Sequence, residues 1–125
     1  MQELEGIGKA FVNFYYSTFD SNRNQLLPLY KDMSMLTFEG QTYQGQKAIL
    51  EKLTSLPFTK VQHAVTTVDV QPANPSPGPL LITVTGRLLV DDEQNPQQFS
   101  QTFHLIPEGG SYWVFNDIFR LNYGY

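Results

Sequence analysis

Residues 80–90 read LLITVTGRLLV, and this stretch decides the fold class. Leu80, Ile82, Val84, Leu88 and Val90 alternate with Thr83, Thr85 and Arg87. A period of two places one set of side chains on a buried sheet face and the other toward solvent. On the C-terminal side, Asp91–Pro96 is a polar turn and Phe99–Ile106 a second strand. A Gly-Gly turn within 107–111 then leads into a last strand over Tyr112–Tyr123. On the N-terminal side, Gln71–Pro79 holds four prolines and a glycine, so it forms a loop. Before it, Val61, His63 and Val65 share one face, and the apolar positions then change parity to Val68 and Val70. That slip predicts a β-bulge near Thr66–Thr67.

Upstream of Lys60 the period is helical. Leu4, Ile7, Phe11, Phe14, Tyr15 and Phe19 recur at three and four, the stripe of an amphipathic helix. Asp20, Ser21 and Asn22 stop it and offer caps for a second piece with Leu26, Leu27, Leu29 and Tyr30 inward. Pro28 keeps that piece short. A short extended stretch, Met35–Glu39, ends at Gly40, and a third helix after Gly45 turns Ile49, Leu50, Leu53 and Leu56 to one side. Pro57 disfavours helical geometry at Leu56 and sets its end.

Helices followed by long hairpin-linked strands read as one α+β domain over residues 1–125, a curved antiparallel sheet with helices on one face. In the last strand Trp113, Phe115, Phe119 and Leu121 fall on one face by simple alternation, and Tyr112, Val114 and Ile118 on the other. Apolar residues on both faces predict a homodimer through the outer face of the sheet. The 17 aromatic rings (9 Phe, 7 Tyr, 1 Trp) give a chain of 125 residues a core without staples.

The absence of cysteine excludes disulfides and thiolate metal sites. A net charge of −4 argues against a nucleic-acid surface and for a basic partner. No stretch approaches the ~20 apolar residues of a membrane span, and MQELEGIGKA lacks the pattern of a signal peptide. The chain reads as a soluble intracellular domain that needs no cofactor.

Candidate chemistry is sparse. His63 and His104 stand 41 positions apart with no flanking ligand, which argues against a metal site. Gly6 and Gly8 open a helix with no strand before them, so they are no dinucleotide loop. His63 on the inward face of a cone could act as a general base near Asp117 or Glu39, or it could be a half-buried strand histidine with a hydrogen-bond partner. The acidic triplet Asp91, Asp92 and Glu93 is either a solvated turn or a docking site for Lys and Arg.

Four stretches, AFVNFYYSTFDSNRNQL, MLTFEGQTYQG, EKLTSLPFTKVQH and FNDIFRLNY, occur in the order and spacing of the nuclear transport factor 2 family, which the chain resembles over essentially its whole length. The resemblance implies an α+β cone that dimerises through its sheet. It implies a carrier, not an enzyme, that binds the GTPase Ran in its GDP form and FxFG-repeat nucleoporins. Such a carrier works between cytoplasm and nucleus, concentrated at the nuclear pore.

In that family an apolar cavity rimmed by carboxylates receives a phenylalanine of Ran. On matching positions the rim would be Glu39, Asp91 and Glu93, and the lining Phe38, Leu56, Val61, Phe119 and Leu121, with His63 at the edge. The nucleoporin site would include Leu4, where the family carries an aromatic residue, so stacking on the repeats is weaker. Glu93 stands where a shorter carboxylate can occur and Phe38 where a larger ring can. The rival readings are an isomerase or dehydratase on the same cone with His63 as base, and an adaptor domain of messenger-RNA export.

Overall fold

The computed structural model of the chain describes residues 2–56, 60–91 and 95–122. Helix α1 (Gln2–Ser21) runs into a 3-10 helix (Arg23–Leu29). Strand β1 (Tyr30–Phe38) and strand β2 (Gln41–Gln44) follow, and then helix α2 (Gln46–Thr54). Four long strands complete the chain: β3 (Val61–Pro72), β4 (Leu80–Val90), β5 (Gln97–Glu108) and β6 (Ser111–Asn122). They form one curved, unclosed sheet in the order β2-β1-β6-β5-β4-β3, with the helices on its inner face. This is the expected α+β cone. Its strands pair antiparallel except β1 with β6, which run parallel because the chain passes from one to the other through all the intervening elements.

Helix α1 is held by an arc narrower than its apolar sequence. Val12, Tyr15, Tyr16 and Phe19 are buried and Leu4, Ile7 and Phe11 pack beside them, but Phe14 is 52% exposed. At 100° per residue Phe14 stands roughly 140° around the helix from Phe19. The stripe predicted from spacing therefore included one ring too many. Near its start the helix closes on β3, where a side chain at Gly8 would meet Val70. Asn22 caps the 3-10 helix by accepting the Asn24 N–H at 3.1 Å, and Leu26 is fully buried beneath it. In α2, Ile49 and Leu53 are buried and Leu50 is half-buried; the helix ends at Thr54, two residues before the predicted end, so the half-buried Leu56 lies just beyond it.

Two-residue turns shape the strand ends. Glu39 and Gly40 both have positive φ, at 52° and 86°, and join Phe38 to Gln41. Gly109 and Gly110, at 59° and 80°, do the same between β5 and β6. Positive φ at both centres is the turn whose twist matches a hairpin. Strand β1 starts five residues before the predicted stretch because Tyr30 already pairs with Val114, and its register with β6 slips between Tyr30 and Met35.

Bulges decide which side chains face the helices. In β3 the register slips between Val65 and Thr67, leaving Thr66 as the extra residue, where the change of parity predicted it. A second bulge corrects the reading of β6. His104 pairs with Asn116 but Leu105 with Val114, so Phe115 is the inserted residue. Parity flips there. Val114, Asp117 and Phe119 are buried on the inner face, and Ile118 is 48% exposed on the outer. Trp113 joins Ile118 outside, and the Phe115 ring lies against Trp113 and His104. The outer face of β6 thus carries Trp113, Phe115 and Ile118, not Trp113 with Phe119 and Leu121.

Candidate functional site

A cavity of about 200 Å³ opens between the inner face of the sheet and the helices. Tyr15 and Phe19 of α1, Leu53 of α2 and Leu56 just beyond it form one side. Leu36 and Phe38 of β1, Val61 and His63 of β3, Leu88 and Val90 of β4, Gln97 and Gln101 of β5, and Phe119 and Leu121 of β6 form the other. Ten of these fourteen side chains are apolar, so the cavity favours an apolar occupant. An aliphatic and aromatic cavity of about 150 Å³ admits a benzene ring. This one has room for a phenylalanine side chain.

Six predicted positions meet in this lining: Phe38, Leu56, Val61, His63, Phe119 and Leu121. Phe38 lies flat on Phe119 at 4.8 Å between centroids, and Phe119 stacks on Phe99 at 5.6 Å, so one wall is a column of rings.

Glu39 follows Phe38 in the hairpin turn and is not part of the lining. Its backbone N–H donates to Phe119 O at 3.1 Å, and its carboxylate accepts the Leu121 N–H. Both tie the acid to two lining residues, so Glu39 lies beside the lining. Asp91 also lies outside the lining, directly after Val90. Its carboxylate accepts the Lys60 N–H at 2.8 Å and its own N–H donates to Lys60 O, closing the end of the β3–β4 pair. Glu93 lies outside the described residues. Leu4 is half-buried in the first turns of α1. Eleven residues at 1.5 Å each put it about 16 Å along the helix from Tyr15, so it belongs to a different surface.

Of the two readings of His63, the structure fits the strand histidine with a hydrogen-bond partner and not a base beside Asp117 or Glu39. That partner is Asp20, at the end of α1. Asp20 Oδ1 lies 2.6 Å from His63 Nδ1, and Asp20 Oδ2 accepts the His63 backbone N–H at 2.9 Å. The ring stacks on Tyr16 at 4.5 Å and meets Phe19 and Phe99 edge-on. With its side chain only 3% exposed, His63 ties α1 to β3 while bordering the cavity.

Asp117 instead ends a buried polar chain behind the cavity. Its Oδ2 accepts the Tyr30 hydroxyl and its Oδ1 the Gln101 amide N–H, both at 2.7 Å. Tyr16 donates to the Gln101 amide oxygen at 2.7 Å, and the Tyr15 and Tyr30 hydroxyls are 2.7 Å apart. Burial raises the Asp117 pKa from 3.8 to about 6, outweighing the hydrogen bonds from Gln101, Tyr30 and Tyr15 that lower it. Burial, followed by the charge on Asp117, pushes Tyr15 and Tyr30 well above their ordinary value, and burial does the same to Tyr16. All three phenols stay protonated. Among the described residues no group of three His, Cys, Asp or Glu could hold a metal, and no helix is long and apolar enough to cross a membrane.

Alternation marks Leu88 and Val90 as sharing the buried face of β4, but it cannot separate a residue that touches its neighbours from one that borders a gap, and it leaves Phe119 unassigned. Gln101, between Phe99 and Phe103 on the inner face of β5, and Asp117 on β6 carried the one available signal, a polar residue among buried apolar ones.

Comparison with known proteins accords with this geometry. The nuclear transport factor 2 domain family matches residues 7–121. The protein called nuclear transport factor 2 of Saccharomyces cerevisiae is 62% identical over 121 residues, covering 97% of this chain and 96% of the relative. That of Schizosaccharomyces pombe is 52% identical over 124 residues, covering 99% and 100%. The solved structure of nuclear transport factor 2 from Cryptosporidium parvum superposes with a TM-score of 0.89 at 48% identity, covering 96% and 95%. A scytalone dehydratase-like structure from Novosphingobium aromaticivorans has a TM-score of 0.80, but at 11% identity it shares the fold alone. Matched by the family over most of its length and by curated relatives of nearly equal length, the chain belongs to the nuclear transport factor 2 family.

Proposed function

We propose that the chain is a homodimeric carrier that binds GDP-bound Ran and FxFG-repeat nucleoporins and moves Ran through the nuclear pore, working between cytoplasm and nucleus. The observation that carries the reading is an apolar cavity of phenylalanine size whose lining residue Leu121 donates its backbone N–H to the Glu39 carboxylate. A ring buried there supplies about 1.5–3 kcal/mol. The rim carboxylates, Glu39 with Asp91 and Glu93, orient basic side chains beside it and speed encounter. Selectivity for the GDP form comes from the partner, because a γ-phosphate reorders the switch loops of a GTPase. The FxFG site includes Leu4, in the first turns of α1 and away from the cavity, so both partners can be held at once. The dimer forms through the outer sheet face that carries Trp113, Phe115, Ile118 and Leu81, the last two being 48% and 38% exposed.

The test is capture of GDP- and GTP-loaded Ran by the wild type, Glu39→Gln and Glu39→Lys. Gln keeps an oxygen for the Leu121 N–H and removes only the charge. Capture of the GDP form alone by the wild type, weakened by Gln and abolished by Lys, is the expected result. Equal capture of both nucleotide forms, or no loss with Lys, refutes the reading.

A further inference from the structure

The carboxylate reading gives no role to a cation that packs on the lining residue Phe38. Lys52, in the last turn of α2, holds its ammonium 5.3 Å from the centre of the Phe38 ring and 5.7 Å from that of Tyr43. Phe119 already covers one face of Phe38, so the ammonium stands over the other. Phe38 lines the cavity, as does Leu53, the next residue of α2. Lys52 therefore caps the outer end of the ring column Phe99–Phe119–Phe38 at the lip of the cavity. Among the described residues no carboxylate lies within 4.0 Å of its nitrogen, and the two ion pairs present join Lys31 to Glu108 and His63 to Asp20.

A cation over rings is stable while water solvates the rest of its hydrogens. A partner that seats a ring in the cavity covers this lip and removes that water. An ammonium desolvated without a new acceptor is costly. A purely basic partner face, the kind Glu39 and Asp91 attract, would make the cost worse through like-charge repulsion.

We propose that Lys52 is a second recognition group at the same site, one that takes an acidic side chain of the docking partner. The inference rests on the proposed docking of a ring in this cavity. It adds that the docking segment is bipolar: its ring is flanked by a base that meets the carboxylate rim and by an acid that meets Lys52. The ring column holds Lys52 in place before docking, so little side-chain freedom is lost when the acid arrives. Specificity follows, since a segment with a ring and bases but no acid leaves Lys52 buried and unpaired.

The experiment measures affinity for GDP-loaded Ran by titration calorimetry for the wild type, Lys52→Arg, Lys52→Met and Lys52→Glu, with Glu39→Gln alongside. Thermal melts verify that each variant is folded. Met keeps the packing on Phe38 and removes the charge, and an ion pair of this exposure corresponds to a loss of roughly fivefold. Arg should bind within about twofold of the wild type, and Glu should bind at least about tenfold more weakly, since repulsion is added to the lost pair. The sign for Glu is decisive, because the general field around a basic partner would make added negative charge tighten binding. Equal or tighter binding by Lys52→Glu overturns the proposal, and so do equal losses for Met and Glu, which would mark a packing role. If Glu39→Gln weakens binding while Lys52→Glu does not, only this inference falls. If neither weakens it, the carboxylate reading falls too.

Discussion

Asp117→Asn should make the stability of this protein less dependent on pH, and the size of the effect follows from the buried polar chain. Asp117 is 1% exposed, and its pKa rises from 3.8 to about 6 on folding. A carboxyl with a raised folded pKa holds its proton more tightly in the native state. Its contribution is therefore fully present below pH 3.8 and is lost as the pH rises through about 6. About two pH units at ~1.36 kcal/mol each amount to about 3 kcal/mol. Asparagine carries no charge to bury, so this loss disappears. The substitution has a fixed cost as well. Its oxygen still accepts from Tyr30, but its amide nitrogen faces the Gln101 nitrogen, and Gln101 must turn its amide over and take a proton donor role toward Tyr16. A rearranged buried hydrogen bond costs about 1–2 kcal/mol at any pH. The variant is then less stable than the wild type at pH 4 and as stable or more so at pH 7.5. Urea unfolding at half-unit steps between those values, at one fixed protein concentration because association adds to stability, measures the difference. A difference that stays constant across the range would show that Asp117 is not raised, and the argument from burial would be wrong.

Two further outcomes follow from the packing. A Cβ at Gly86 would press on the Ala64 carbonyl oxygen and lie 3.1 Å from the Phe99 ring, so Gly86→Ala should cost about 1–3 kcal/mol in urea unfolding, and an unchanged midpoint would contradict the close approach. If the proposed outer-face dimer forms, Ile118→Arg places a charge in the middle of that face, so sedimentation velocity should find a dimer for the wild type and a monomer with intact far-ultraviolet dichroism for the variant, and a surviving variant dimer would move the interface elsewhere.

Much of this architecture is legible locally. The alternation of Leu80 through Val90, the parity change near Thr66 and the Gly-Gly turn each report a conformation that a few residues impose on themselves. Strands β3 to β6 and the inward set of β4 follow directly. The bulge at Phe115 had no such signal, because both parities of β6 are apolar and either assignment is consistent with the residues alone. Its position is set by pairing with Leu105 and His104 on β5. Phe14 was misplaced for a related reason. Spacing gives the apolar side of a helix but not the width of the surface that receives it.

The site divides along the same line. Sequence by itself determined the fold class and, through the resemblance of four stretches to a known family, the family and six of the residues around the cavity, since a resemblance depends on residue type and order. Only the tertiary structure decided that they enclose a gap, that His63 answers to Asp20 and not to Asp117, that Asp117 lies behind Gln101, and that Lys52 caps the Phe38 ring. The last three are contacts between residues 14 to 43 positions apart, and the gap joins Phe38 to Phe119 across 81. Such contacts depend on how α1 and α2 settle onto a curved sheet, and no local pattern of side chains encodes that placement.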